Sequence, residues 1–298
     1  MKKTTVMAVP RICFFAVVAT CAIGIIIGSF RDFQINVALA NKTEIGALFA
    51  TYGSYFSYCL YPAAGACLFV GFRKKGQRFH MLAWTLMILG FFMAVYYSNS
   101  YNGKAVRELF GYTAGESPAM RSVLSWLFWV ALYAWVPFVT VRLLDQTDPD
   151  KLIAVGAAIL IAGITADNVN LWLKQVASRP RYKYLITLDD PASEFRQWWQ
   201  MIPNLAGSND SFKSWPSGNM TIASMMFSLP MLADVLKGHS MKKNIIAFCA
   251  ACAFVLLYGY NRIHMTNHFL SDVCFGTLIT YLIYAAVSTA LCSASGRE

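Results

Sequence analysis

Apolar residues in this chain fall into eight long runs, separated by short polar connections and by one long polar insert. About 20 apolar residues are needed to cross a bilayer core. By that test, spans fall near 12–30, 46–72, 81–97, 123–141, 152–173, 220–236, 245–260 and 269–292. The insert runs from Lys174 to Asn219. It opens Lys-Gln-Val-Ala-Ser-Arg-Pro-Arg-Tyr and closes Ser-Phe-Lys-Ser-Trp-Pro-Ser-Gly-Asn. The pattern predicts an all-α polytopic membrane bundle of about eight spans, with its chemistry where the polar residues are concentrated.

Composition points the same way. Hydrophobic residues make up 57% of the chain and charged residues 13%, where soluble domains carry about 25% charged. A net charge of +10 fits the Lys and Arg that membrane proteins collect in cytoplasmic loops. Nucleic acid is not an expected partner, because the chain has no zinc-finger, basic-zipper or ribonucleoprotein motif. All eight cysteines sit in apolar runs and read as small hydrophobes, including the Cys249-x-x-Cys252 pair inside the seventh run. The N-terminal Met-Lys-Lys and the first run resemble a signal peptide. That run exceeds the roughly 7–15 residues of such a segment, and Ala38-Leu39-Ala40 lies too far downstream for cleavage, so an uncleaved first span is expected. Within it, Gly24 and Gly28 form a GxxxG that permits close helix approach.

Orientation rests on basic residues beside span ends. Lys2, Lys3 and Arg11, then Arg73, Lys74, Lys75 and Arg78, then Arg142 and Lys151, then Lys237, Lys242 and Lys243, and finally Arg297 mark one side. That side is read as cytoplasmic. Both termini are then expected inside a bacterial inner or cell membrane, with the insert on the periplasmic or extracellular side. Trp198, Trp199 and Trp215 read as interface aromatics. Asp167, near the outer end of the fifth span, reads either as an ion pair with Lys174 or as a site-shaping group. The stretch 98–121, with Gly103, Gly111, Gly115 and Pro118, reads as a solvated outer loop or lid.

This topology brings three patches to one membrane face. The first is Lys174, Arg179 and Arg181. The second is Pro216-Ser217-Gly218-Asn219, and the third runs from Asn261-Arg262 through His264 and His268 to Asp272. Guanidinium groups clamp phosphate oxygens in bidentate fashion and Lys adds a point charge. Ser217 and Gly218 precede a helix start, where free N–H groups favour an anion. His268 and Asp272 stand four apart at the head of a helix. There a carboxylate can accept one imidazole N–H and leave the other nitrogen as nucleophile. An anchor for anionic headgroups is the competing reading of the basic cluster.

The three patches in this order resemble the type 2 phosphatidic acid phosphatase superfamily, whose pattern is Lys-x6-Arg-Pro, Pro-Ser-Gly-His and Ser-Arg-x5-His-x3-Asp. The resemblance covers roughly 81–292. It implies a six-helix phosphatase core over 79–298, preceded by two N-terminal helices over 1–78. It further implies that His268 attacks phosphorus to form a phosphohistidine, that Asp272 orients it, and that Lys174, Arg181, Arg262, Ser217 and Gly218 hold the phosphoryl oxygens, with Arg179 beside them. No metal or cofactor is implied. The partner is a membrane lipid phosphate or diphosphate.

Three positions depart from the pattern: Tyr182, Asn261 and Asn219. The last replaces the His that protonates the leaving group, and general acid catalysis is worth about 10²–10⁴-fold. Either the substrate leaves without help, as an isoprenoid diphosphate would, or His264 serves as surrogate acid. The expected activity is a lipid phosphatase. The alternatives are a phosphotransferase on the same fold and a silent lipid-phosphate binder.

Overall fold

The computed structural model describes residues 5–110, 119–203 and 209–294. After a short antiparallel hairpin of Thr5–Val6 and Val9–Pro10, the described chain is helical. The helices are α1 Arg11–Leu39, α2 Glu44–Tyr52, α3 Tyr55–Tyr58, α4 Leu60–Lys74, α5 His80–Phe110 and α6 Ala119–Leu143. They continue as α7 Pro149–Ala177, α8 Tyr182–Leu185, α9 Gly218–Ser224, α10 Leu229–Ala233, α11 Met241–His264 and α12 Leu270–Ala294. Seven stretches among the described residues are long and apolar enough to cross a membrane. They are α1, α2 to α4 together, α5, α6, α7 with its extension to Leu185, α11 and α12. The chain is an all-helical integral membrane protein.

Local sequence sets the helix ends that matter. Asp148 caps α7 by accepting from Lys151 N at 2.9 Å, and Pro149 takes the first position, where no N–H is needed. At the other end Ser178 adopts the left-handed conformation, φ 44°, and turns the chain into the insert. Ser217 caps α9 through Met220 N, and Ser240 caps α11 through Lys243 N.

The run expected as a sixth span, 220–236, differs from the rest. It is broken into α9, a 3-10 turn Met225–Ser228 and α10. Pro230 falls in the first turn of α10, where its missing N–H is tolerated. Met220, Met225, Phe227 and Met231 are buried among other helices, and irregular backbone at membrane depth is tolerated where protein covers it. The stretch 98–121 is corrected as far as Phe110, because α5 continues through it; a single Gly103 does not end a helix whose neighbours favour one. Gly111, Gly115 and Pro118 lie outside the described residues, as do Lys2, Lys3 and Arg297.

α4 forms the centre of the bundle, packed against α5, α6 and α7, while α12 lies between α7 and α1. At one end, the connections are fastened by Lys237 N to Leu143 O and Asp145 N to Val235 O, both 2.8 Å, and by the pairs Lys75–Asp150 at 2.6 Å and Lys151–Asp234 at 2.8 Å. At the opposite end α1, α7 and α11 finish and α9 and α12 begin, and that end holds the insert.

The approach of α1 to α12 depends on Gly28, where an added Cβ would lie 2.9 Å from Ser271 N. Gly28→Val is therefore expected to destabilise the fold by about 1–3 kcal/mol through overpacking. Thermal unfolding in detergent micelles should show a lower midpoint than wild type.

Candidate active site

The three sequence patches meet. Lys174, Arg181, Gly218, Asn219, Arg262 and His268 line one cavity of about 280 Å³ at the insert end of the bundle. Each cation is fixed by backbone oxygens. Lys174 Nζ donates to Lys213 O at 2.9 Å and Pro216 O at 2.6 Å. Arg262 donates to Ala50 O at 3.1 Å. Arg181 donates through Nε to Asp210 O at 2.9 Å and pairs with the Asp210 carboxylate at 3.0 Å. A Cβ on Gly218 would meet Asn170 Oδ1 at 3.2 Å and Lys174 Cε at 3.4 Å, so glycine lets the α9 start and the lysine share this wall.

His268 sits in the short link between α11 and α12. The Arg262 carbonyl accepts from both Asn267 N, at 3.0 Å, and His268 N, at 3.2 Å, and Thr266 takes the left-handed conformation, φ 61°. This turn fixes the Arg-to-His spacing. The imidazole is buried, and its Nδ1–H donates to Ser214 O at 2.8 Å. Nε2 therefore carries the lone pair, and Arg181 faces it at 3.4 Å. Burial holds the His268 imidazole well below its ordinary range, and the charges of Arg181, Arg262 and Lys174 act in the same direction against the opposing effect of Asp272. The ring is a neutral base whose unprotonated Nε2 faces a cationic cavity, with Arg181 as its only hydrogen-bond neighbour among the described residues, an arrangement suited to a nitrogen nucleophile toward phosphorus.

Asp272 stands behind the ring rather than in direct hydrogen-bond contact with it. Its nearer oxygen is 3.8 Å from His268 Nδ1. It accepts instead from Ser214 Oγ at 2.5 Å, Phe269 N at 2.9 Å and Arg179 at 2.6 Å. Ser214 thus links carboxylate and imidazole, its hydroxyl on one and its carbonyl on the other. Arg179 is turned inward too. It contacts Asp272, Ser271 Oγ at 2.9 Å, Asp32 at 2.9 Å and Arg196 O at 2.8 Å, with Phe269 against its guanidinium face at 4.3 Å. With four of its five N–H groups engaged behind the ring, Arg179 is not among the residues lining the cavity, contrary to the sequence expectation.

Two further expected site residues lie outside the cavity lining. Ser217 is fully buried and its hydroxyl caps α9. The His264 ring bonds Leu39 O at 2.9 Å and stacks on Tyr260, which directs it to the end of α1, outside the cavity lining. The departures at 182 and 261 have structural uses. Tyr182 packs edge-on against Phe33 and Phe269, and Asn261 donates to Gly46 O at 3.0 Å. Asp167 lines the cavity wall while Lys174 is held by carbonyls, a site-shaping placement. Trp198 and Trp215 pack with Phe275, and Trp199 is exposed.

Sequence reasoning missed Asp32, Asn36, Ser214 and Ser271. The signal available for the first two was an acid and an amide four apart, on the helical continuation of the first apolar run. Residues 151–292 match the PAP2 superfamily, and the chain carries a PAP2 superfamily domain over that stretch. Members of this superfamily are generally phosphatases. No curated protein and no solved structure matches the chain.

The buried, cation-flanked ring sets a titration test. His268 should titrate below the ordinary histidine value of about 6.5, so it stays neutral as pH falls through that value. Arg181→Gln removes a positive neighbour and should move its midpoint upward. Imidazole NMR in micelles measures both; a wild-type midpoint at or above the ordinary value contradicts the assignment.

Proposed function

We propose that this chain, an integral membrane protein with a PAP2 superfamily domain over residues 151–292, is a lipid phosphatase that hydrolyses an isoprenoid diphosphate through a phosphohistidine on His268. The observation that carries this reading is the unprotonated Nε2 of a neutral His268, 3.4 Å from Arg181 inside a cavity that also holds Lys174 and Arg262. Nε2 attacks the terminal phosphorus, and the bridging P–O bond breaks with its electrons going to the leaving lipid phosphate. Water then cleaves the N–P bond, and Nε2 recovers its lone pair. The three cations offset the charge on the transferred phosphoryl oxygens.

The preference for a diphosphate follows from Asn219, which lines the cavity and has no proton to give. An alkoxide leaving group is about as basic as hydroxide, with water near 15.7. A leaving phosphate monoester, with a second pKa of about 6, departs unaided. A lipid tail is supported by an apolar groove of about 610 Å³ lined by Ile45, Leu48, Phe49, Tyr52, Phe128 and Trp129. The groove backs onto the cavity across α2, whose Ala50 and Thr51 line the polar side. In this reading both termini are cytoplasmic and the cavity opens on the outer face.

Asn219 also favours a second reading, a silent lipid-phosphate binder. Phosphate release by purified protein from a panel of lipid mono- and diphosphates separates the two. The phosphatase reading predicts faster release from diphosphates and loss of all release in His268→Ala. It also predicts that Asn219→His raises monoester turnover within the range of about 10²–10⁴-fold that a general acid supplies. Equal rates on both classes overturn the diphosphate preference. No release from any member, with lipid phosphate still bound by His268→Ala, supports the binder.

A further inference from the structure

Helix α1 lies outside the stretch that matches the superfamily and is mostly lipid-facing, with Ile23, Ile26, Ile27 and Phe30 exposed. One stripe of it differs. Ser29, Asp32, Phe33 and Asn36 are spaced 3, 4 and 7 residues from the first, one face of a helix. Asp32 and Asn36 are 1% and 0% exposed, and a carboxylate buried in a spanning helix is costly unless it is matched.

The stripe's side chains reach the site and the elements beside it, Asn36 through its Nδ2 alone. Asn36 Nδ2 donates to the backbone carbonyl of His268 at 3.2 Å. Asp32 accepts from Ser271 N at 3.0 Å, from Ser271 Oγ, and from Arg179 at 2.9 Å. Ser29 accepts from Trp198 Nε1 at 2.9 Å, and Phe33 packs on Tyr182 and Phe195. The site therefore has a second carboxylate. Asp32 draws one arm of Arg179 to itself and leaves the other on Asp272 Oδ1, which keeps Asp272 Oδ2 for Ser214 and Phe269 N. Without Asp32, both arms of Arg179 can close on Asp272, and the carboxylate that supports Ser214 and His268 is pulled away.

We infer that α1 is a brace for the nucleophile, with Asp32 and Asn36 as positioning residues: they hold His268 in line with phosphorus without touching substrate. The inference rests on the phosphatase reading for the identity of the nucleophile. It assigns the two residues a role in attack rather than in anion binding, and that distinction can be measured.

The probes are orthovanadate and inorganic phosphate, with binding to full-length protein in micelles followed by calorimetry. Vanadate accepts a fifth ligand and can bond to Nε2, as a transition-state mimic does. Phosphate uses only the cavity's donors. Asp32→Asn and Asn36→Ala should each weaken vanadate by about tenfold or more while phosphate binding changes less than about twofold, and kcat for lipid diphosphate should fall about 10–100-fold with KM little changed. Arg31→Ala, an exposed neighbour, should match wild type in every assay. Wild-type vanadate affinity and kcat in both variants overturn the inference, as does an equal loss of both anions. If Asp32→Asn fails to fold, Asn36→Ala decides, since it leaves no charge unpaired. Vanadate binding without lipid phosphate hydrolysis by wild type overturns the phosphatase reading while the comparison of variants still decides the role of α1. Wild-type protein that binds neither anion overturns both.

Discussion

The site is organised around one buried guanidinium. Arg179 lies between Asp272 and Asp32, at 2.6 and 2.9 Å, with the three side chains almost wholly sealed from solvent. Removing one partner from a buried ion pair costs about 3–5 kcal/mol, because the remaining charge has no water to turn to. The cluster therefore ties the insert, through Arg179, to α12 on one side and α1 on the other. Hydrocarbon around the bundle sharpens the requirement, since backbone and polar groups at that depth must find partners inside the protein.

From that anchor the rest of the site is placed. Asp272 is held by Arg179 and holds Ser214; Ser214 O takes the Nδ1 proton of His268; and Nε2 is left facing the cavity. The cations divide into two kinds. Arg179 bridges the two carboxylates behind the ring, whereas Lys174, Arg181 and Arg262 are steadied by backbone carbonyls and by Asp210 in front of it. Burial is the main reason the imidazole stays neutral, and the front group adds to it while favouring an anion in the cavity. In the proposed reaction, Asn219 leaves the departing oxygen without a proton donor at the position where the superfamily pattern has one, so the leaving group's own basicity matters.

Much of this was legible in the chain. Run lengths gave the spans because a bilayer sets a minimum length, and spacing brought Lys174, Arg181, Gly218, Arg262 and His268 to one face because helices of similar length return the chain to the same side. What sequence pattern could not resolve was the direction of side chains. Arg179 and Arg181 are two residues apart and look alike in sequence, yet the left-handed turn at Ser178 and the two carboxylates behind it turn one inward, while the other reaches the cavity. His264 and His268 share a connection, but the helix end at Met265 separates their targets. Asp32 escaped notice because its partners lie far away in sequence. The break in the 220–236 run was hidden for another reason: buried helical pieces and a lipid-facing span are equally apolar.

The central claim is that His268 becomes covalently phosphorylated. Alkaline quench of the protein during turnover of a lipid diphosphate labelled in its terminal phosphate, followed by peptide mass spectrometry, tests it most directly, because an N–P bond survives base. The label should sit on the peptide carrying His268 and disappear when substrate is exhausted. Turnover with label on another residue, or with no protein-bound label at all, would contradict the account.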